Sequence, residues 1–183
     1  MSLLPTVNSG IYKIVHFAYG PIRDDEGALG AVGKSSSPEL EWMIIRNSDH
    51  TYSFNVYDSK SGLVETAAHP GGPISEVKKR YYVSVDKSDP VQETHWRLQP
   101  VLFGSEPRIL YAIYQDPRDN AGQCDVKGHW ELNSSDKKEP VKLNRDPADE
   151  ENKAVPSSYG ASALWILQPV TVPLPGPKPP TSY

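Results

Sequence analysis

Trp42-Met43-Ile44-Ile45-Arg46-Asn47, followed after a short polar turn by Tyr52-Ser53-Phe54-Asn55-Val56, is the stretch whose reading decides the fold. The first half alternates Trp-x-apolar-x and the second Tyr-x-apolar-x. A period of two places one set of side chains on a single face of an extended strand. Asn47-Ser48-Asp49-His50 supplies the turn, so the unit reads as a β-hairpin. The pattern returns at Trp96-Arg97-Leu98-Gln99-Pro100 and Tyr111-Ala112-Ile113-Tyr114, with Gly104-Ser105-Glu106-Pro107 between them.

A third Trp strand, Ala163-Leu164-Trp165-Ile166-Leu167-Gln168-Pro169, has no Tyr strand after it. An orphan Tyr strand, Gly10-Ile11-Tyr12-Lys13-Ile14-Val15, sits at the opposite end of the chain. The two chain ends therefore close the third hairpin. Trp-to-Trp separations of 54 and 69 residues leave room for about four strands per unit. Twelve strands in three pseudo-repeats is the β-trefoil, an all-β barrel capped by hairpins, with a β-sandwich as the competing reading. Further strands are expected at Leu63–Ala68, Ile74–Val77, Tyr81–Val85, Cys124–Leu132 and Val141–Asn144, with a glycine-interrupted one at Ala28–Val32. The three tryptophans of the repeat read as core residues rather than sugar platforms. One domain is expected over 1–171. Residues 172–183, with Pro173-Leu174-Pro175-Gly176-Pro177-Lys178-Pro179-Pro180, read as a disordered, polyproline-like tail.

Composition agrees with a single folded domain. The chain has 183 residues, 18 of them proline and 13 glycine, which favours turns over long helices. Its net charge of −4, with scattered basic residues, offers no nucleic-acid surface. Lys78-Lys79-Arg80 runs into Tyr81-Tyr82-Val83 and reads as the start of a strand. A single cysteine, Cys124, excludes an internal disulfide and a cysteine-built zinc site, and it reads as a packed residue. Met1-Ser2-Leu3-Leu4-Pro5 has neither a basic nor an apolar leader region, and no run approaches the roughly 18 apolar residues of a membrane helix. The expected address is cytoplasmic and the expected state a monomer, with no membrane partner; the Asn133-Ser134-Ser135 sequon is then accidental.

Catalytic and metal-binding patterns are missing from the sequence. His16, His50, His69, His95 and His129 form no His-x-His or His-x-x-x-His pair. Asp24-Asp25-Glu26 and Asp149-Glu150-Glu151 lack the alternating acidic spacing of a calcium loop and read as solvated charge. Ser35-Ser36-Ser37 has no Gly-x-Ser-x-Gly setting. Gly30-x-x-Gly33-Lys34-Ser35 lacks the glycine spacing of a phosphate loop, and no helix pattern follows it. No catalytic residue, metal or cofactor is expected, and an enzyme is the least supported class.

Gly10-Ile11-Tyr12-Lys13-Ile14-Val15-His16, Trp42-x-Ile44-x-Arg46 and Trp96-Arg97-Leu98-Gln99-Pro100 together resemble the mycocypins. These are the mushroom β-trefoil protease inhibitors of the clitocypin and macrocypin group; fungal trefoil inhibitors of serine proteases share the architecture. The resemblance runs from residue 10 to about residue 170. It implies a cytosolic fungal protein of defensive or regulatory role, without disulfides. It also implies that two neighbouring loops block the cleft of a papain-like cysteine protease. Carried onto this chain, the first loop is Tyr19 to Gly27, with Tyr19, Gly20, Pro21, Ile22 and Arg23 as contacts. The second lies near Lys34 to Glu39 and includes Ser36, Ser37 and Pro38, although the stretch from Ala28 to Trp42 is shorter than in macrocypins. Family members that inhibit legumain carry an asparagine in a further loop. The matching stretch here, Tyr57-Asp58-Ser59-Lys60-Ser61-Gly62, has none, so no legumain inhibition is expected through it. Lys60 or Arg23 could instead enter the basic-specific pocket of a trypsin-like serine protease.

A carbohydrate-binding trefoil is the second functional reading, with glycans as partners. Its aromatic-polar pairs would be Tyr57-Asp58, Tyr114-Gln115-Asp116 and His129-Trp130, which do not fall at matching points of the three units. A trefoil devoted to other protein contacts is the third, and no residue distinguishes it.

Overall fold

Tryptophan and tyrosine, bulky and strongly strand-forming, set the places where strands meet in this molecule. The structure, a computed structural model, describes residues 6–25, 28–30, 39–75, 80–86, 94–115, 128–134, 140–144 and 160–171. Among these residues there are thirteen strand segments. They are β1 (Gly10–His16), β2 (Gly20–Pro21), β3 (Arg23–Asp25), β4 (Ala28–Gly30), β5 (Glu41–Arg46), β6 (Tyr52–Asp58) and β7 (Leu63–Ser75). Then follow β8 (Arg80–Asp86), β9 (Trp96–Val101), β10 (Leu110–Gln115), β11 (His129–Glu131), β12 (Lys142–Asn144) and β13 (Trp165–Pro169). A 3-10 turn, Ala161–Ala163, precedes β13.

All pairings are antiparallel, and the sheet closes on itself. A path through β12, β11, β10, β13, β1, β5, β6, β7 and β8 returns to β12, giving a closed nine-strand barrel. β9 bridges β6 and β10, so a tighter ring of β1, β5, β6, β9, β10 and β13 lies within it. Closure removes the exposed ladder edges that an open sheet would leave.

The three hairpins expected from the sequence are present. β5 pairs β6, β9 pairs β10, and β13 pairs β1, so the two ends of the barrel sequence complete the third hairpin. Their registers coincide: Tyr52 faces Arg46, Tyr111 faces Pro100 and Tyr12 faces Pro169, each four residues beyond the strand's tryptophan. On its other side each tyrosine faces a different tryptophan, Tyr12 with Trp42, Tyr52 with Trp96, and Tyr111 with Trp165.

Several expected boundaries are corrected. β7 is one 13-residue strand where two, Leu63–Ala68 and Ile74–Val77, were expected. Its ladder to β8 shifts register between Pro70 and Pro73 and again before Ser75, as fits prolines that have no N–H to donate. The strand expected at Cys124–Leu132 is seen as β11, with Cys124 outside the described residues, and the one at Ala28–Val32 is seen as β4. Thirteen segments stand where twelve were expected because the ladder breaks at Ile22, between β2 and β3. The tail, 172–183, lies outside the described residues.

The core is aromatic. Trp42, Trp96, Trp130 and Trp165 are all fully buried. Trp130, from β11, sits edge-on to the other three, with ring centroids at 6.4 Å (Trp42), 5.2 Å (Trp96) and 5.7 Å (Trp165), and to Phe54 at 5.7 Å. Such T-shaped contacts match the quadrupoles of the rings. Trp96 Nε1–H donates to Ala68 O (3.3 Å) and Trp165 Nε1–H to Trp130 O (3.2 Å), tying the inner ring to β7 and β11. Val7, ahead of β1, is buried in the main core cluster. The Tyr12 hydroxyl donates to Asn8 O (2.8 Å) and the Tyr52 hydroxyl to Val7 O (3.3 Å), which ties the N-terminal segment to β1 and β6.

Truncating the central ring should unseat three neighbours at once. Trp130→Ala is expected to cost about 3–5 kcal/mol, read as a lower urea midpoint. Ile45→Ala, at a half-exposed outer position, should shift it by well under a third of that. Equal shifts in the two variants would contradict the central role of Trp130.

Candidate functional site

β1 ends at His16, which lies opposite Trp165 in the β1–β13 register, so its imidazole turns inward and is 1% exposed. The ring packs edge-on to Trp165 at 4.7 Å and stacks on Tyr19 at 4.9 Å. Nδ1 accepts the backbone N–H groups of Ala18 and Tyr19, each at 3.2 Å, and Nε2 lies 3.0 Å from Ser162 O. Two donors at Nδ1 place the proton on Nε2, from which it is given to the carbonyl. Burial outweighs the Ser162 hydrogen bond and pushes the imidazole below its ordinary pKa. His16 is a neutral bracket holding the Phe17–Tyr19 turn, not a free base.

The turn is fixed from outside as well. The Tyr19 hydroxyl donates to Asn133 O at 2.8 Å, and Phe17 N–H donates to Leu164 O at 2.9 Å. Gly20, at φ +88°, carries the chain from the turn into β2, a conformation costly for residues with a Cβ. Ala18 stands exposed at the tip.

The expected first loop, Tyr19 to Gly27, is therefore corrected: it contains β2 and β3, and the true connection is Phe17–Tyr19. Gly20 and Pro21 pair with His16 and Val15. Ile22, whose N–H donates to Ile14 O at 3.2 Å, is 1% exposed and belongs to the core, so it cannot be a contact residue. Arg23 lies half-buried beside Glu39, Nη2 to Oε1 3.7 Å, and the same carboxylate receives Lys13 Nζ at 2.8 Å. The Lys13 hydrogen bond, aided by both cations, holds Glu39 below the ordinary carboxylate range. Ser36, Ser37 and Pro38 lie outside the described residues.

Lys60 is exposed in the turn between β6 and β7. There Asp58 accepts the N–H groups of Lys60 (2.9 Å) and Ser61 (3.2 Å), and Gly62 closes the turn at φ +70°. Of the sugar-platform pairs, His129-Trp130 is corrected because Trp130 is the centre of the core, and Gln115 is also buried. Among the described residues no group of three or more His, Cys, Asp or Glu could hold a metal ion, and no helix is long and apolar enough to cross a membrane.

A neighbour of the turn was not foreseen. Phe103, in the loop between β9 and β10, meets Phe17 edge-on at 5.5 Å. Both pack on a second apolar cluster outside the barrel, formed by Leu110, Leu164 and Ile166 with Val15 and Val101. The available signal was Val101-Leu102-Phe103, an apolar run at the end of a strand that already had its buried face. No protein-family model matches the chain, and no curated protein matches its sequence.

His16 makes folding pH-dependent. Its pKa is lowered in the folded state, so the unfolded chain takes up the proton first as pH falls. The contribution is complete above the ordinary histidine value and is lost as pH drops toward the folded one. Urea unfolding between about pH 7.5 and 5.5 should show the wild type losing stability faster than His16→Gln. Parallel decline would contradict the bracket.

Proposed function

We propose that the barrel is a β-trefoil and that the chain is a mycocypin-like protease inhibitor, acting as a cytoplasmic monomer on papain-like cysteine proteases. The threefold recurrence of the Tyr–Trp registers supports the trefoil. Counting β2 and β3 as one strand leaves four strands in each unit, beginning at β1, β6 and β10.

The observation that carries the inhibitor reading is the bracing of the Phe17–Tyr19 turn by His16 before any partner arrives. A wedge that fills a cleft needs no nucleophile. It needs a shape that fits and does not relax, and prior bracing lowers the entropy lost on binding. Phe17, Ala18, Tyr19, Gly20 and Pro21 form the contact edge. Ile22 and Arg23 support it, Ile22 from the core and Arg23 through Glu39.

Titration of papain with the chain should abolish hydrolysis of a small peptide substrate at micromolar inhibitor or below. Ala18→Glu, which places a charge at the exposed tip, should weaken inhibition at least about tenfold with an unchanged thermal midpoint. Absence of papain inhibition at micromolar concentration would overturn the reading.

A further inference from the structure

The β9–β10 loop exposes a large apolar residue more fully than any other on the described surface. Leu102 is 85% exposed, while its neighbours Val101 and Phe103 are packed into the outer cluster. An isolated exposed leucine is ordinary. What sets Leu102 apart is the bracing on both sides of it. Upstream, Val101 is the last rung of the β9 ladder, facing Leu110. Downstream, the Phe103 ring is seated on Phe17, and Phe103 O accepts the Glu106 N–H at 3.1 Å. Gly104, at φ +56° with open space around it, makes the bend.

The far limb is braced by its own ion pair. The Glu106 carboxylate accepts the Arg108 N–H at 3.1 Å and Arg108 Nη2 at 3.0 Å, with Nε on the first oxygen. These contacts hold the Glu106 carboxyl below its usual range, the Arg108 side-chain hydrogen bond being the main cause. The segment Pro100-Val101-Leu102-Phe103 thus presents one projecting side chain on a backbone anchored before and after it.

We propose that this loop is a second inhibitory element, directed at serine proteases whose primary pocket is an apolar slot, with Leu102 as the side chain that fills the pocket. Such a slot selects large apolar residues, whereas a pocket floored by a carboxylate selects Lys or Arg. The bracing on either side of Leu102 keeps the segment from adapting to the catalytic centre and lowers the entropy lost on docking. The element meets the papain-directed edge where Phe103 packs on Phe17, but it uses a different projecting residue, a different loop and a different class of protease. Either reading can fail alone.

The test is titration of chymotrypsin and trypsin with the intact chain and with the Leu102→Arg and Leu102→Gly variants. Chymotrypsin should be inhibited by the wild type in a one-to-one stoichiometry. L102G should bind it about a hundredfold more weakly, and L102R should lose chymotrypsin and gain trypsin. Because Leu102 is exposed, both variants should keep the wild-type thermal midpoint. Three results would overturn the proposal: no chymotrypsin inhibition by the wild type, inhibition unchanged in both variants, or rapid cleavage after Leu102 with no loss of chymotrypsin activity.

Discussion

Four indole rings meeting in the middle of a small barrel impose a constraint that every other element obeys. Trp42, Trp96 and Trp165 come from β5, β9 and β13 of the inner ring, and Trp130 enters from β11. The edge-on packing of Trp130 against all three couples β11 to that ring. Trp96 also donates its N–H to a β7 carbonyl and Trp165 to a β11 carbonyl. Trp42 Nε1 and Trp130 Nε1 find no acceptor among the described residues, so the cluster is held by ring packing more than by hydrogen bonds.

The three Trp hairpins differ at one shared buried position. In the shared register, the residue facing Trp42 is Val56, that facing Trp96 is Gln115, and that facing Trp165 is His16. Valine completes the apolar layer, whereas the other two hairpins place a buried polar side chain there. Histidine at the same place gives up some apolar burial and in return bonds the next turn through two N–H groups. The exchange is local: the ring still packs against Trp165, and its outer face is covered by Tyr19. Departures from a repeat that carry added hydrogen bonds of this kind are where a fold is turned to use.

Much of the architecture was legible because aromatic alternation and turn residues are local signals. The Trp42–Val56 and Trp96–Tyr114 hairpins, and the pairing of the chain ends through Tyr12 and Trp165, could be read directly. Trp130 was not read as core, because its strand is only three residues long and the His129-Trp130 pair read as a sugar platform. The segment Tyr19–Gly27 was misread as a loop because Gly20 and Pro21 are turn-like in composition, whereas Ile22 is drawn inward by the core. The meeting of Phe17 with Phe103 joins residues far apart in the chain, and no periodicity encodes it. For the candidate site, the turn after His16 lies a few residues ahead of the loop expected from the sequence, and the pairing test applied to the histidines could not show that His16 braces it.

The account rests on four tryptophans sharing one dry cluster. Iodide quenching of tryptophan fluorescence, followed through a urea titration, tests that most directly. The native chain should show blue-shifted emission that iodide leaves untouched, and accessibility should rise for all four rings in one transition together with loss of β-sheet. Quenching of a sizeable part of the native emission, or a tryptophan transition that precedes unfolding of the sheet, would contradict it.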